Sequence, residues 1–316
     1  MENKSTESFF TYNKIECAEG LSRRGRLVVG LVREFNNNSL IKNHRENDRG
    51  NSDFDRKPNY PEHLYTERIE LKHFPMELLR WKDTESKRVI LMLHGGGYIG
   101  MYKSYYRTMA GLYSEVSGGA AVLSIDYRVA PDNPFPAALE DACEAYNWLR
   151  INGYDTDDIV VAGDSAGGGL ALALCLYLKD KKEKLPRGLV LMSPWTDLAM
   201  TGASYREHAD TDPVFGNGNS GVMENNPYIG ENDPKNPLIS PLYGELEGLP
   251  PMLIQVGSDE MLYDDSASLY EKAKAAGVRV RFSEYENMFH VFQAAATIMP
   301  ESKKAWAEVG RFMEAI

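Results

Sequence analysis

The chain has 316 residues, 43% hydrophobic and 26% charged, a balance that excludes collagen-like, wholly disordered and membrane-spanning classes. Its 35 Lys and Arg against 46 Asp and Glu leave a formal net charge of −11, a field that repels phosphate backbones, so no nucleic acid partner is expected. Cys17, Cys143 and Cys175 form no CxxC pair, which speaks against both a disulfide framework and a structural zinc site.

The first residues lack the basic region and apolar run of a secretory signal, and no stretch reaches the roughly 20 apolar residues of a spanning helix. A cytoplasmic location with no membrane span is therefore expected. To about residue 60 the chain is polar and irregular. One apolar island there, from Leu27 through Val28, Val29 and Leu31 to Val32, predicts a short helix, and the Asn/Asp/Arg-rich stretch 36–56 a mobile loop. From about residue 66, apolar runs of strand length alternate with helical periodicity. Strands are predicted over 68–72, 76–81, 88–93, 120–125, 159–162, 188–192, 252–256 and 278–282. Between the later ones, helical spacing joins Leu139, Cys143, Tyr146 and Leu149, then fills 170–178, then joins Leu269, Tyr270, Ala273 and Ala276 before Gly277 ends it. Strands alternating with helices predict an α/β fold with a mostly parallel sheet covered on both faces. Residues 199–240 interrupt the alternation with Gly, Asn, Asp and Pro and read as an insertion. With residues 1–60 they are expected to form a lid over a body spanning 61–316. No internal repeat is visible.

Gly163-Asp164-Ser165-Ala166-Gly167 is a G-x-S-x-G pentapeptide, common enough by chance to be an incidental glycine-rich turn. Its setting gives it weight, because it follows the apolar run 159–162 and precedes a buried helical run, the strand–turn–helix context of a nucleophile elbow. His94-Gly95-Gly96-Gly97 follows the strand at 88–93. Glycines there let backbone N–H groups point into a cavity and bind the oxygen that turns negative when an ester carbonyl is attacked, with the Ala166 N–H as a further donor. Gly95-x-Gly97-x-x-Gly100 also satisfies a dinucleotide fingerprint, but that reading leaves the elbow serine without a purpose.

Serine needs a base, and the base an orienting acid. His44 and His63 lie in the polar part, His73 near an early strand and His208 in the insertion, where solvated or capping roles are the default. His94 heads the glycine loop and is better placed to brace it. His290 follows the last predicted strand after a short loop and is expected to open a helix, at the carboxyl end of the sheet where such folds place their sites. The acid should come from the loop after 252–256. Asp264 and Asp265 start the next helix and suit N-terminal capping or the helix dipole. Asp259 and Glu260 lie nearest the strand end, and spacing leaves both open.

These residues resemble the hormone-sensitive-lipase-like branch of the α/β-hydrolases, the bacterial family IV esterases. The likeness runs from about residue 66 to the end and rests on His94-Gly95-Gly96-Gly97-Tyr98, Asp126-Tyr127-Arg128-x-Ala130-Pro131, Phe135-Pro136-Ala137-Ala138, Gly163-Asp164-Ser165-Ala166-Gly167-Gly168, Ser193-Pro194-Trp195-Thr196-Asp197, Ser240-Pro241-Leu242 and His290-Val291-Phe292. It implies an α/β-hydrolase fold with a helical cap, Ser165 as nucleophile, His290 as base, and the N–H groups of Gly96, Gly97 and Ala166 as oxyanion donors. The family's acid-x-Leu-x-Asp pattern falls on Glu260-Met261-Leu262-Tyr263-Asp264, which gives Glu260 the acid position beside Asp259. The implied activity is serine-dependent hydrolysis of short- to medium-chain acyl esters through an acyl-enzyme. It needs no cofactor and no metal, and its partner is a small-molecule ester. Pairing of relatives through the edge strand and late helices implies a homodimer. The rival readings are a non-catalytic small-molecule receptor on the same fold, and an amidase or lipase using the same triad.

Overall fold

The computed structural model describes residues 8–15, 21–38, 48, 50–296 and 298–316. Cys17 and His44 lie outside the described residues. In chain order the strands are β1 (Tyr12–Ile15), β2 (Leu64–Glu70), β3 (Pro75–Trp81), β4 (Val89–Leu93), β5 (Ala121–Ile125), β6 (Ile159–Asp164), β7 (Gly188–Met192), β8 (Met252–Gly257) and β9 (Val280–Tyr285). They form one sheet in the order β1-β9-β8-β7-β6-β4-β5-β3-β2. Strand β3 runs antiparallel to β2 and to β5, and the other neighbouring pairs are parallel. The helices are α1 (Arg23–Asn37), α2 (Tyr105–Val116), α3 (Ala137–Ile151), α4 (Ala166–Asp180), the short α5 (Ser204–Glu207), α6 (Tyr263–Ala275) and α7 (Pro300–Ala315).

Strands β4 to β8 are buried along their whole length, as their unbroken apolar runs require when helices cover both faces. The pleat divides them with a period of two. Val89, Leu91 and Leu93 face a core shared with α3, α4 and α6, whereas Ile90 and Met92 face a second core built with α2 and α7. Helix α4 is buried on nearly every side, so its sequence shows an apolar run rather than a stripe. The α/β architecture and mostly parallel sheet expected from the sequence are present. Helices α2 and α7 were not among the expected elements; their inward faces mix apolar residues such as Met109, Tyr113, Trp306 and Phe312 with the buried polar Arg107, Glu301, Ser302 and Glu308.

The amino-terminal segment departs from expectation. Besides α1 it supplies β1, which pairs in parallel with β9, placing Tyr12 opposite Phe282 with their rings stacked at 5.5 Å. The Tyr12 hydroxyl donates to Glu284 at 2.8 Å. Four residues of alternating exposure are too short and too polar a run to read as a strand. The described part of the expected mobile loop is pinned to the body, with Phe54 buried edge-on against Tyr102 and the Ser52 hydroxyl donating to Asp126 at 2.5 Å. Helix α1 is anchored at its start, where Glu301 of α7 accepts the Ser22 N–H at 2.8 Å. At its end, Asn36 donates to the Pro213 carbonyl at 2.9 Å in the 199–240 insertion. Among the described residues no helix is long and apolar enough to cross a membrane.

Candidate active site

The serine sits where β6 turns into α4. Ser165 has φ 52° and ψ −124°, a disfavoured backbone for a residue with a side chain, which throws its hydroxyl clear of both elements. Two neighbours hold the turn: the Ser165 N–H donates to the Met192 carbonyl at 2.9 Å, and the Ser165 carbonyl accepts the Trp195 N–H at 2.8 Å. The flanking glycines leave no room for a side chain. A Cβ on Gly163 would lie 2.3 Å from the Gly167 carbonyl oxygen, and one on Gly167 would lie 2.1 Å from the Leu93 carbonyl oxygen.

Above this turn three distant segments meet. His290 Nε2 lies 2.9 Å from Ser165 Oγ, and its Nδ1 lies 2.8 Å from Glu260 Oε2. Ser165 and His290 are each 7% exposed and Glu260 is fully buried, so the relay is shielded from bulk water except toward the cavity. A neutral imidazole satisfies both contacts with Nδ1–H donating to the carboxylate and Nε2 accepting the serine proton. The second carboxylate oxygen of Glu260 accepts the Gly257 N–H at 2.6 Å and the Ser193 hydroxyl at 2.8 Å. Asp259, the other carboxylate left open by spacing, instead accepts the Ser258 hydroxyl at 2.6 Å. His290 does not open a helix. It lies in a turn followed by Val291 at φ 53° and a short 3₁₀ segment, Phe292–Ala295.

The glycine loop passes directly over the elbow. Gly96 and Gly97 adopt φ 114° and 64°, which glycine tolerates and other residues resist, and both line the cavity beside Ser165. The Gly100 N–H closes a turn onto the Gly96 carbonyl at 2.8 Å, and α2 begins only at Tyr105, so the loop does not lead into the helix a dinucleotide fingerprint needs. Asp164 ties loop to elbow: its carboxylate accepts the Gly95 N–H at 3.2 Å and the Tyr106 hydroxyl at 3.2 Å. Burial raises its pKa to about 6, offset in part by the positive charge His290 takes on and by these two donors. His94 is fully buried, with burial pushing its pKa down, and stacks on Tyr127 at 4.0 Å, a bracing role. Ala166, next to the serine, begins α4, so a peptide N–H at a helix start adjoins the hydroxyl. Such an arrangement can take a proton from serine, hold the imidazolium, and receive an oxyanion on backbone N–H groups.

A cavity of about 740 Å³ opens over these groups. Its walls come from both amino-terminal and inserted segments, including Val32 and Phe35 of α1 and Val214, Phe215, Val222 and Met223 of the insertion. The Phe215 ring lies 4.7 Å from that of His290, and a Cβ on Gly97 would lie 2.6 Å from Val222.

Residues 90–294 match the family model described as alpha/beta hydrolase fold. The chain is 41% identical over 227 residues to an acetyl-hydrolase of Streptomyces hygroscopicus, covering 72% of this chain and 75% of that one. It is 37% identical over 234 residues to an esterase of Acinetobacter venetianus, covering 73% and 76%. The crystal structure of an esterase from the bacterial hormone-sensitive lipase family superposes with a TM-score of 0.82 at 38% identity, covering 92% of this chain and 97% of that one. The chain belongs to the hormone-sensitive-lipase family of α/β-hydrolases.

Within this hydrolase, several side chains near the relay gave no signal in the sequence. Asp212, buried in the insertion, accepts the Val214 N–H at 2.7 Å and the Met261 N–H at 2.7 Å, and so ties the wall carrying Phe215 to the residue after Glu260. Asn226 donates to the Gly97 carbonyl at 2.8 Å and fixes the insertion on the glycine loop. Asp264 and Asp265 lie in the first turn of α6, where the helix dipole favours a carboxylate, but neither caps it through a side-chain hydrogen bond. Asp264 accepts the Ser204 N–H at 2.9 Å, and Asp265 accepts the N–H groups of Thr196 and Asp197 at 2.8 and 2.7 Å and the Tyr205 hydroxyl at 2.8 Å. Burial raises the Asp265 pKa well above the usual carboxylate value. Of the remaining histidines, His63 meets Trp81 edge-on at 5.2 Å, His208 lies 3.4 Å from the Thr211 hydroxyl, and His73 is exposed.

Proposed function

We propose that this hydrolase cleaves short- to medium-chain carboxylic esters with Ser165 as nucleophile, His290 as general base and acid, and Glu260 as the orienting acid. The observation that carries this reading is the unbroken pair of hydrogen bonds, 2.9 Å and 2.8 Å, from serine through imidazole to carboxylate. Ser165 Oγ attacks the acyl carbonyl while His290 Nε2 takes its proton, and the N–H groups of Gly96, Gly97 and Ala166 bind the resulting oxyanion. The alcohol leaves with that proton. A water activated by His290 then releases the carboxylic acid, and Glu260 holds the imidazolium through both halves without being protonated itself.

Residues 1–60 and the insertion at about 199–240 act as a cap over the catalytic body, and their apolar side chains in the cavity favour an apolar acyl group. A cytoplasmic setting fits Cys143 and Cys175, both of which are free thiols. If the hydrolase pairs through the sheet edge beside β9, as its resemblance implies, the strand offered there is β1. Hydrolysis of p-nitrophenyl esters of graded chain length tests the reading. Activity should peak at short to medium acyl chains and vanish in Ser165→Ala, whereas a folded chain inert to every ester and binding them unchanged would reveal a receptor.

A further inference from the structure

The end of β7 and the segment after it touch Ser165, Glu260 and the residue next to His290, and one side chain there has no role in the chemistry above. Ser193 is fully buried and sits at φ 46°, a backbone that glycine adopts freely and serine resists. What serine adds over glycine is a hydroxyl, and that hydroxyl is fully used. It donates to Glu260 Oε1 at 2.8 Å and accepts the Val291 N–H at 3.1 Å, from the residue next to His290. On either side of it, the Met192 carbonyl accepts the Ser165 N–H and the Trp195 N–H donates to the Ser165 carbonyl.

We infer that Ser193 is a positioning residue that clamps acid and base together through one hydroxyl. Glutamate carries one more rotatable bond than aspartate, so a carboxylate in this place needs a fixed second oxygen if the first is to face the imidazole. Ser193 and the Gly257 N–H fix Oε1, which leaves Oε2 aimed at His290 Nδ1. The same oxygen of Ser193 holds the left-handed turn at Val291 and with it the ring of His290. Serine's single hydrogen goes to the acid and a lone pair takes the backbone donor, so one atom couples the two.

The inference rests on the Ser165–His290–Glu260 reading, and a double-mutant cycle separates the two claims. Ser193→Gly removes the hydroxyl while suiting the backbone, so the turn should persist. With p-nitrophenyl butyrate, kcat should fall by about tenfold to a hundredfold, the usual effect of losing a hydrogen bond to a charged group, with KM within about threefold of wild type. Introduced into Glu260→Gln, the same change should cost little more, because the carboxylate it served is gone. Ser193→Ala, compared by thermal unfolding, provides a second arm in which a lost fold is distinguished from a lost clamp. Equal losses in both backgrounds, or wild-type kcat in a folded Ser193→Gly, overturn the clamp and leave the triad standing. Full activity of Glu260→Gln overturns the acid assignment, and the clamp with it.

Discussion

At the scale of single residues, the chemistry separates into groups that a motif announces and groups that only the folded chain brings together. Ser165 is legible because a strained elbow restricts its neighbours to small residues, and His290 because only it follows the last strand. The choice between Asp259 and Glu260 is not legible from spacing, since adjacent residues at a strand end point different ways. Resemblance favours Glu260, and the 2.8 Å contact to His290 supports it. Glu260→Gln should therefore lower kcat by about 10⁴, while Asp259→Asn should leave it within a few-fold of wild type; steady-state kinetics on both variants checks the assignment. Asp164 makes a prediction about pH. Its pKa in the folded protein, about 6, lies above its ordinary 3.8, so the folded state holds this proton more tightly than the unfolded chain does. The stabilisation is present in full below 3.8 and is lost as pH rises through about 6. Asp164→Asn lacks that loss. Its thermal midpoint should rise relative to wild type across this window and hold a constant offset above it, and an offset that is flat from pH 4 to 7 would contradict the assignment.

At the scale of elements, strands β4 to β8 follow from apolar runs because a sheet covered on both faces demands them, whereas β2, a mostly exposed edge strand at Leu64–Glu70, only overlaps the expected 68–72. Strand β1 does not follow from such a run, since its four residues are held by partners far along the chain, through pairing with the edge of β9 and the stacking of Tyr12 on Phe282. Helices α2 and α7 were hidden for a related reason. Their inward faces mix apolar residues with buried polar groups satisfied by tertiary partners, as Arg107 is by Glu77 at 3.0 Å and Glu308 is by Arg281 at 2.8 Å. Close packing at the elbow sets the strongest constraint. Gly163→Ala would drive a methyl group to 2.3 Å from the Gly167 carbonyl oxygen, and it should abolish soluble folded protein or cost more than about 3 kcal/mol. Gly111→Ala offers the contrast. It lies within α2 with nothing inside 4 Å of the new methyl, so it should add about 0.8 to 1 kcal/mol in urea unfolding with kcat unchanged.

At the scale of the whole molecule, the sheet supplies the relay from three strand ends, and the amino-terminal helix and the insertion supply the walls above it. The body was legible in the sequence, and so were the two segments expected to lie over it, but not the side chains through which they line the cavity. Residues such as Asp212, Phe215 and Asn226 act through contacts far along the chain, and nothing in their local pattern marks them. Val222 of the insertion stands against the glycine loop, 2.6 Å from where a Cβ on Gly97 would lie. Val222→Ala should widen the cavity there and raise kcat/KM for p-nitrophenyl octanoate relative to butyrate by about tenfold, the scale of one or two methylene groups in an apolar site. The central claim is that one hydroxyl of the chain, activated by His290, attacks the ester. Titration with a fluorophosphonate, followed by peptide mass spectrometry, tests it most directly. One adduct per chain should form on Ser165, with esterase activity lost in proportion and no labelling of His290→Ala at the same rate. Full activity in protein stoichiometrically modified at Ser165, or inactivation by an adduct at another residue, would contradict it.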